Sequence, residues 1–185
     1  MTHLAFVRHG ETDWNRERRL QGRADIPLNE TGIEQANGLA ASFDAAEWSL
    51  ILSSPLSRAW ETARALSAGS GIPLDDPAVG LIERSFGQAE GEIVTDAKAR
   101  WGLAPYPGAE SAEEVGERGA RYLAEVVAAQ PGNVILVSHG AFIRATVAAL
   151  TGTDIGGVAN ASIVRVDYTD GRWELAPDPV VSIAG

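Results

Sequence analysis

The sequence predicts an α/β sandwich with a mostly parallel sheet and an antiparallel edge strand. Short apolar runs recur along the chain, amphipathic helical segments separate them, and an Asp170-Gly171 turn signal joins the last two extended segments. With 185 residues, of which 45% are hydrophobic and 22% charged, the chain is long enough to bury a sizeable core. We therefore expect residues 1–185 to form a single domain with a lid-like insertion at about residues 72–110.

The first predicted strand is followed by a long loop and a helix. An apolar run at residues 4–7 fits a buried strand, and the polar, Arg-rich residues 11–30 fit a functional loop. Residues 31–34 match a capping box. A helix is therefore expected from there to about Phe43, with Ile33 on its buried face.

A second apolar run, at residues 50–52, fits another buried strand. Pro55 suits the first turn of a helix that continues to about Leu66. Residues 72–110 contain many Gly and Pro and show no strong period apart from a short helical stretch at about residues 94–101. This segment is expected to be an insertion over the active site.

The second half of the chain continues the alternation of helices and strands. A capping box at residues 111–114 predicts a helix to about Ala129, and an apolar run at residues 134–137 predicts a strand that leads into a helix at residues 141–150. The last predicted elements are two hairpin-like strands and an irregular tail: residues 162–168, residues 172–175 and the tail from Ala176.

Composition excludes several classes of function. The 25 acidic residues outnumber the 15 basic ones, which disfavours general binding to nucleic acid or anionic membranes but leaves a locally basic pocket possible. The absence of Cys excludes disulfides, thiolate zinc sites and thiol nucleophiles. No apolar run approaches the roughly 18 residues of a membrane span, and the N-terminus lacks the features of a signal peptide, so a cytoplasmic location is expected.

Two histidines follow the same pattern, an apolar strand ending in X-His-Gly. Arg8-His9-Gly10 follows the first strand, and Ser138-His139-Gly140 follows the third. Because ligands collect at the carboxyl ends of parallel strands, both rings are expected at one functional edge. A lone strand-end His is more often a core or capping residue, but two matched sites favour function. Without Cys or a His-x-x-His pattern, the support for a metal site is weak, and we predict none.

Two arginines indicate the charge of the ligand. Arg8 adjoins His9, and Arg58 lies near the start of the helix after the second strand. The guanidinium group presents paired donors that match phosphate oxygens, and helix N-termini favour anions. Either arginine alone is more simply a solvated charge. Together with the two histidines, they predict a pocket for a tetrahedral anion.

Several motifs follow one another in a characteristic order along the chain: Arg8-His9-Gly10-Glu11-Thr12-Asp13-Trp14-Asn15, Arg19-Leu20-Gln21-Gly22-Arg23, Ser53-Ser54-Pro55-Leu56-Ser57-Arg58-Ala59, Leu81-Ile82-Glu83, Pro107-Gly108-Ala109-Glu110-Ser111 and Val137-Ser138-His139-Gly140. In this order they resemble the motifs of the histidine phosphatase superfamily, in its phosphoglycerate mutase-like branch. This resemblance covers most of the chain and implies a three-layer α/β/α fold of the phosphoglycerate mutase-like type.

The resemblance also implies catalytic roles. His9 is expected to attack phosphorus and form a phosphohistidine, while Arg8, Arg58 and His139 hold the phosphoryl oxygens. Glu83 is expected to protonate the leaving oxygen and then to activate water. Neighbouring cations lower the pKa of such a carboxyl group and burial raises it, so the acid role requires that burial oppose the cations.

The same resemblance implies that four further residues contact the substrate: Asn15, Gln21, Gly22 and Gly140. The implied partner is a small phosphorylated metabolite, without a cofactor, nucleic acid or a membrane. The natural substrate and the oligomeric state are not predicted.

Two departures from the family pattern bear on the activity. Gln88-Ala89 stands where an aromatic residue is common, and residues 91–108 lack the longer basic insertion of cofactor-dependent mutases. Without those basic residues to hold a bisphosphorylated intermediate, transfer of the phosphoryl group to water is favoured. The prediction is thus a metal-independent phosphomonoesterase. The alternatives are a cofactor-dependent phosphoglycerate mutase and a non-catalytic phosphate-binding or protein-interaction module.

Overall fold

The computed structural model describes residues 1–182, in which five strands form one sheet of order β2-β3-β1-β4-β5. The strands are β1 (Thr2–Arg8), β2 (Trp48–Ser53), β3 (Asn133–Ser138), β4 (Ser162–Thr169) and β5 (Arg172–Ser182). β1, β2 and β3 are parallel, while the β4–β5 hairpin adds antiparallel pairing at one side. Asp170 and Gly171 turn the hairpin with φ values of 49° and 84°. The predicted mostly parallel sheet with an antiparallel edge is confirmed.

Helices cover both faces of this sheet. They are α1 (Asp13–Arg16), α2 (Glu30–Gly38), α3 (Ser57–Ser70), α4 (Val94–Trp101), α5 (Ala112–Ala129) and α6 (Gly140–Thr151). Alternate residues of β1 face opposite layers: Phe6 belongs to the cluster formed with α5 and α6, and Val7 to the cluster formed with α3 and the turn after α2. The protein is therefore the three-layer α/β/α sandwich that the sequence predicts.

The parallel pairing places the ends of β1 and β3 side by side. Arg8 pairs with Ser138, so His9 and His139 leave the sheet at the same edge. The loop of residues 72–110 contains α4 at Val94–Trp101, as predicted, and packs a small cluster around Ala97 and Tyr106 that is separate from the main core. In the described residues, 1–182, no helix is long and apolar enough to span a membrane.

The start of α2 differs from the prediction. The Asn29 side chain accepts the Gly32 amide at 2.8 Å, so the cap is Asn29 rather than Thr31. Ile33, which was expected on the buried face of this helix, has half of its surface exposed, whereas Ala36 is buried. The capping-box pattern at residues 31–34 was therefore misleading.

The irregular tail from Ala176 is also a wrong prediction, because β5 continues to Ser182. Its two prolines lie between Leu175, which pairs with Val166, and Val180, which pairs with Val164. The register shifts there, so prolines that cannot donate to the ladder are tolerated. Ile183, at the end of the predicted apolar tail, lies outside the described residues.

Candidate active site

The carboxyl ends of β1 and β3 bring two imidazole rings into contact. The ring centroids of His9 and His139 are 5.1 Å apart, with an angle of 60° between the ring planes. Both side chains are buried. Burial and the nearby arginines lower the pKa of each ring well below its ordinary value, so both rings are neutral near pH 7.

The tautomer of His9 follows from one hydrogen bond. Its Nδ1 lies 2.7 Å from the carbonyl oxygen of Gly10. A carbonyl oxygen can only accept, so Nδ1 carries the proton. In the neutral ring, Nε2 then has a free lone pair, which is the form that a nucleophile requires.

Two guanidinium groups, one on a fully buried residue and one on a half-buried residue, flank the histidines. Arg58 is fully buried and donates to the carbonyl oxygens of Ala24 and Gly22, each at 2.8 Å. Burial is the main cause that lowers its pKa to about 10. Arg8 donates to the carbonyl oxygen of Val158 at 2.6 Å, and burial lowers its pKa as well. The Nε atoms of both arginines are buried without a protein partner, which favours an anion as the missing ligand.

One ring nitrogen of His139 also lacks a hydrogen-bond partner within the described residues. Its Nε2 shares a 2.7 Å hydrogen bond with the hydroxyl group of Ser54. Its Nδ1 is buried and has no partner in the described structure. If the Ser54 hydroxyl donates, Nδ1 carries the proton and can donate to an anion.

Glu83 lies at the N-terminus of α6. Its carboxylate accepts hydrogen bonds from the backbone amides of Arg84 at 2.8 Å, Phe142 at 2.9 Å and Ala141 at 3.3 Å. These bonds and the charge of Arg58 favour the ionised form, but burial outweighs them and raises the pKa of Glu83. In this balance burial is the largest contribution, and the direction of the pKa shift is the one that proton donation requires.

The remaining predicted contact residues surround the same space. Asn15 accepts through Oδ1 from the backbone amide and hydroxyl group of Thr12, so its amide nitrogen remains available. Gln21 is buried with an unpartnered Oε1. A Cβ at Gly140 would lie 3.3 Å from Nε of Arg8, so this glycine allows the close approach of the guanidinium group.

These residues line a cavity of about 620 Å³. Its walls contain all of the predicted site residues except His139, which is fully buried against the His9 ring: Arg8, His9, Asn15, Gln21, Gly22, Arg58, Glu83 and Gly140. The cavity is also lined by residues that the sequence analysis did not select, among them Arg84, Phe86, Arg144, Ala145, Asp154 and Gly157. In the described part of the chain, residues 1–182, no three His, Asp or Glu side chains form a group that could hold a metal ion.

Most arginines of the loop before α2 have partners in the protein. Arg16 contacts Asp13, Arg19 contacts Glu17, and Arg23 contacts Glu110. Only Arg19 among these three lines the cavity. Arg16 and Arg23 are therefore paired within the protein and do not line the cavity.

Asn160 is a site residue that sequence reasoning missed. Its amide nitrogen donates to the carbonyl oxygens of His9 and Gly10 and to Oδ1 of Asn15. The residues before Asn160 show no apolar periodicity, so no pattern in the neighbouring sequence indicates that it belongs to the site. Ser54, by contrast, lies in a quoted motif and could have been found from it.

Comparison with known proteins assigns this architecture to a family. The model of the histidine phosphatase superfamily (branch 1) matches residues 4–177. The uncharacterized phosphatase PhoE of Bacillus subtilis is 35% identical over 183 residues, which cover 95% of this chain and 93% of PhoE. The probable phosphoglycerate mutase GpmB of Cronobacter sakazakii is 33% identical over 205 residues, covering 100% of this chain and 93% of GpmB.

A solved structure agrees with the sequence comparison. The mycobacterial glucosyl-3-phosphoglycerate phosphatase in complex with VO3 superposes with a TM-score of 0.84 at 31% identity. The match covers 95% of this chain and 98% of the mycobacterial chain.

Proposed function

Because the chain belongs to the histidine phosphatase superfamily, we propose that it hydrolyses small phosphomonoesters through a phosphohistidine on His9, without a metal ion. The chain is a phosphatase of this family, and its phosphatase relatives support a small phosphorylated substrate. The observation that carries the mechanism is the hydrogen bond from His9 Nδ1 to the Gly10 carbonyl oxygen, since it leaves Nε2 as the free nucleophile.

In the first step, the lone pair of His9 Nε2 forms a bond to phosphorus, and the bond between phosphorus and the ester oxygen breaks. The proton of the Glu83 carboxyl group passes to the leaving oxygen, so an alcohol departs. The raised pKa of Glu83 supports this proton donation.

In the second step, the Glu83 carboxylate takes a proton from water as the water oxygen bonds to phosphorus. The N–P bond breaks, its electron pair returns to Nε2, and inorganic phosphate forms. The enzyme regains neutral His9 and protonated Glu83, so the cycle balances without a co-reactant.

Three groups are arranged to stabilise the charge that develops on the phosphoryl oxygens. Arg8 and Arg58 supply buried positive charge with unpartnered Nε atoms, and His139 supplies an unpartnered Nδ1. Preorganised donors of this type are each worth about 3 kcal/mol in related oxyanion sites.

Hydrolysis is favoured over mutase activity by the segment above the cavity, which we propose acts as a lid. Its basic residues between Gly91 and Gly108 are Lys98 and Arg100, and neither lines the cavity. Arg100 is instead paired with Glu92 at 2.9 Å. Residues 91–108 therefore supply no cationic partner for a second phosphoryl group, which favours reaction of the phosphoenzyme with water.

Arg84 supports a substrate with a second anionic group. Its Nε donates to the carbonyl oxygen of Glu110 at 2.7 Å, and its guanidinium group lies 5.4 Å from the centroid of the Phe86 ring. The Arg84 side chain lines the same cavity as His9. A carboxylated phosphomonoester would place its phosphoryl group at His9 and its carboxylate at Arg84.

Trapping the covalent intermediate tests the mechanism. Rapid acid-free quenching of the enzyme with ³²P-labelled substrate should give a labelled protein that is stable to alkali and labile to acid, as expected for phosphohistidine. The His9→Ala variant should remain unlabelled. Labelling of that variant to the same extent would place the nucleophile elsewhere.

A further inference from the structure

Asn160 lies in the connection between α6 and β4, where the chain returns to the end of β1. Its side-chain nitrogen donates to three oxygens: the carbonyl oxygens of His9 at 3.1 Å and Gly10 at 3.2 Å, and Oδ1 of Asn15 at 3.1 Å. Two N–H groups are thus shared among three acceptors, which all belong to the strand end and loop that carry the nucleophile.

The first effect of these contacts concerns the His9 ring. The Gly10 carbonyl oxygen accepts from both His9 Nδ1 and the Asn160 amide. A carbonyl oxygen has two lone pairs, and Asn160 occupies the position that His9 does not use. Asn160 therefore helps to keep the Gly10 carbonyl oxygen pointed at His9 Nδ1. This contact in turn stabilises the Nδ1-protonated form of the ring.

The second effect concerns Asn15. Oδ1 of Asn15 accepts from Thr12 through two groups and from Asn160. A flip of the Asn15 amide would break the bonds from the Thr12 backbone amide and from Asn160, because N–H groups can only donate. Its NH₂ group is consequently the one presented to the cavity.

The local backbone does not depend on the Asn160 side chain. The amide of Ala161 donates to the carbonyl oxygens of Arg8 at 3.1 Å and His9 at 3.2 Å. β4 then pairs with β1 along its length. Removing the Asn160 amide group should therefore leave the chain attached to β1 and change mainly the orientation of the groups around His9.

We propose that Asn160 is a positioning residue for the reaction, acting through the Gly10 carbonyl group on the His9 tautomer and through Oδ1 on the Asn15 amide. The inference rests on the proposed function, since it assumes that His9 is the nucleophile. Asn160 itself contacts neither the phosphoryl group nor the leaving group in this assignment.

The test compares Asn160→Ala and Asn160→Asp with a matched control, Asn133→Asp. Asn133 lies at the start of β3, away from the site, and is half-buried like Asn160. Its amide nitrogen donates to the backbone oxygen of Glu47 at 2.9 Å.

The steady-state parameters are measured with p-nitrophenyl phosphate, and thermal unfolding confirms that each variant is folded. Both Asn160 variants should lose on the order of 10²-fold in kcat with KM changed by less than about 3-fold, because misplacement of a reacting group by about 1 Å has this effect.

A second readout is independent of catalysis. The chain contains three histidines, so ¹⁵N NMR of histidine-labelled protein resolves His9 after assignment with single variants. Wild type and Asn133→Asp should show His9 protonated at Nδ1, whereas Asn160→Ala should show an increased share of the Nε2-protonated tautomer. An unchanged tautomer together with an unchanged kcat in folded Asn160 variants would overturn the inference. Absence of phosphatase activity in the wild type would contradict the proposed function instead, and the NMR comparison would still decide the role of Asn160.

Discussion

His9 and His139 stand at the ends of adjacent parallel strands with their ring centroids 5.1 Å apart, and both rings are neutral because of burial and the charges of Arg8 and Arg58. A protonated ring would add a third positive charge to a buried pair of cations. The arrangement that we propose binds an anion therefore also keeps His9 in the neutral form that a nucleophile requires.

The first prediction concerns the pH dependence of kcat/KM. Below the lowered pKa of His9 the nucleophile is protonated, and above the raised pKa of Glu83 the acid has lost its proton. Activity should therefore fall on both sides of an optimum that lies between these two pKa values. The Glu83→Gln variant should lack the alkaline limb. Activity that rises steadily to pH 9 in the wild type would contradict these protonation states.

The second prediction concerns the role of Glu83 in leaving-group protonation. Glu83→Gln should reduce kcat for an alkyl phosphate by at least about 10²-fold, in the range typical of general acid catalysis. The loss should be much smaller for p-nitrophenyl phosphate, whose leaving group needs little protonation. Rates for the two substrates are measured at the same pH. Equal losses would remove Glu83 from the acid role.

The third prediction concerns stability: Glu83→Gln, which should reduce the activity, should increase the thermal stability of the protein. The folded state raises the pKa of Glu83 above its unfolded value of about 4.5, so folding takes up a proton. This contribution to stability is present below the unfolded pKa and is lost as the pH rises through the folded pKa. At pH 8, Glu83→Gln should raise the Tm by about 3 °C, which corresponds to about 1 kcal/mol for a chain of this size.

The control for that measurement is Glu125→Gln, a substitution of an exposed acid on α5. It should leave the Tm nearly unchanged at pH 8. Below about pH 4, the difference between wild type and Glu83→Gln should shrink, because the wild-type carboxyl group is then protonated in both states. A lower Tm for Glu83→Gln at pH 8 would show that the three amide hydrogen bonds outweigh burial.

The fourth prediction tests the second anion site. Arg84→Gln should lower kcat/KM for 3-phosphoglycerate by about 10- to 100-fold, the value of a hydrogen bond to a charged group. It should change kcat/KM for glycerol 3-phosphate by less than about 3-fold, because that substrate lacks the carboxylate. Arg121→Gln, on the exposed face of α5, provides the control. Equal losses on both substrates would assign Arg84 a role other than carboxylate recognition.

The strands themselves and most of the candidate site could be predicted because their signals are local. An apolar run followed by X-His-Gly marks both His9 and His139, and the parallel sheet then brings the two together. The start of α2 could not be predicted in the same way, since both Asn29 and Thr31 are competent caps and tertiary contacts decide between them.

Contacts between residues far apart in the sequence explain why other features of the site could not be predicted. Asn160 is far from His9 in sequence, and only the pairing of β4 with β1 brings its amide to the Gly10 carbonyl group. The pKa of Glu83 depended on a balance between burial and neighbouring charge, which requires coordinates. Arg84 follows Glu83 directly, but its place in the cavity wall comes from contacts with Glu110 and Phe86.

Phosphate release from a panel of phosphomonoesters, measured in EDTA, tests the central claim most directly. The wild type and His3→Ala, an exposed histidine at the start of β1, should release phosphate, and His9→Ala should not. Release that survives in His9→Ala would contradict the role of His9. Wild-type activity that EDTA abolishes and a divalent ion restores would contradict the metal-independent mechanism.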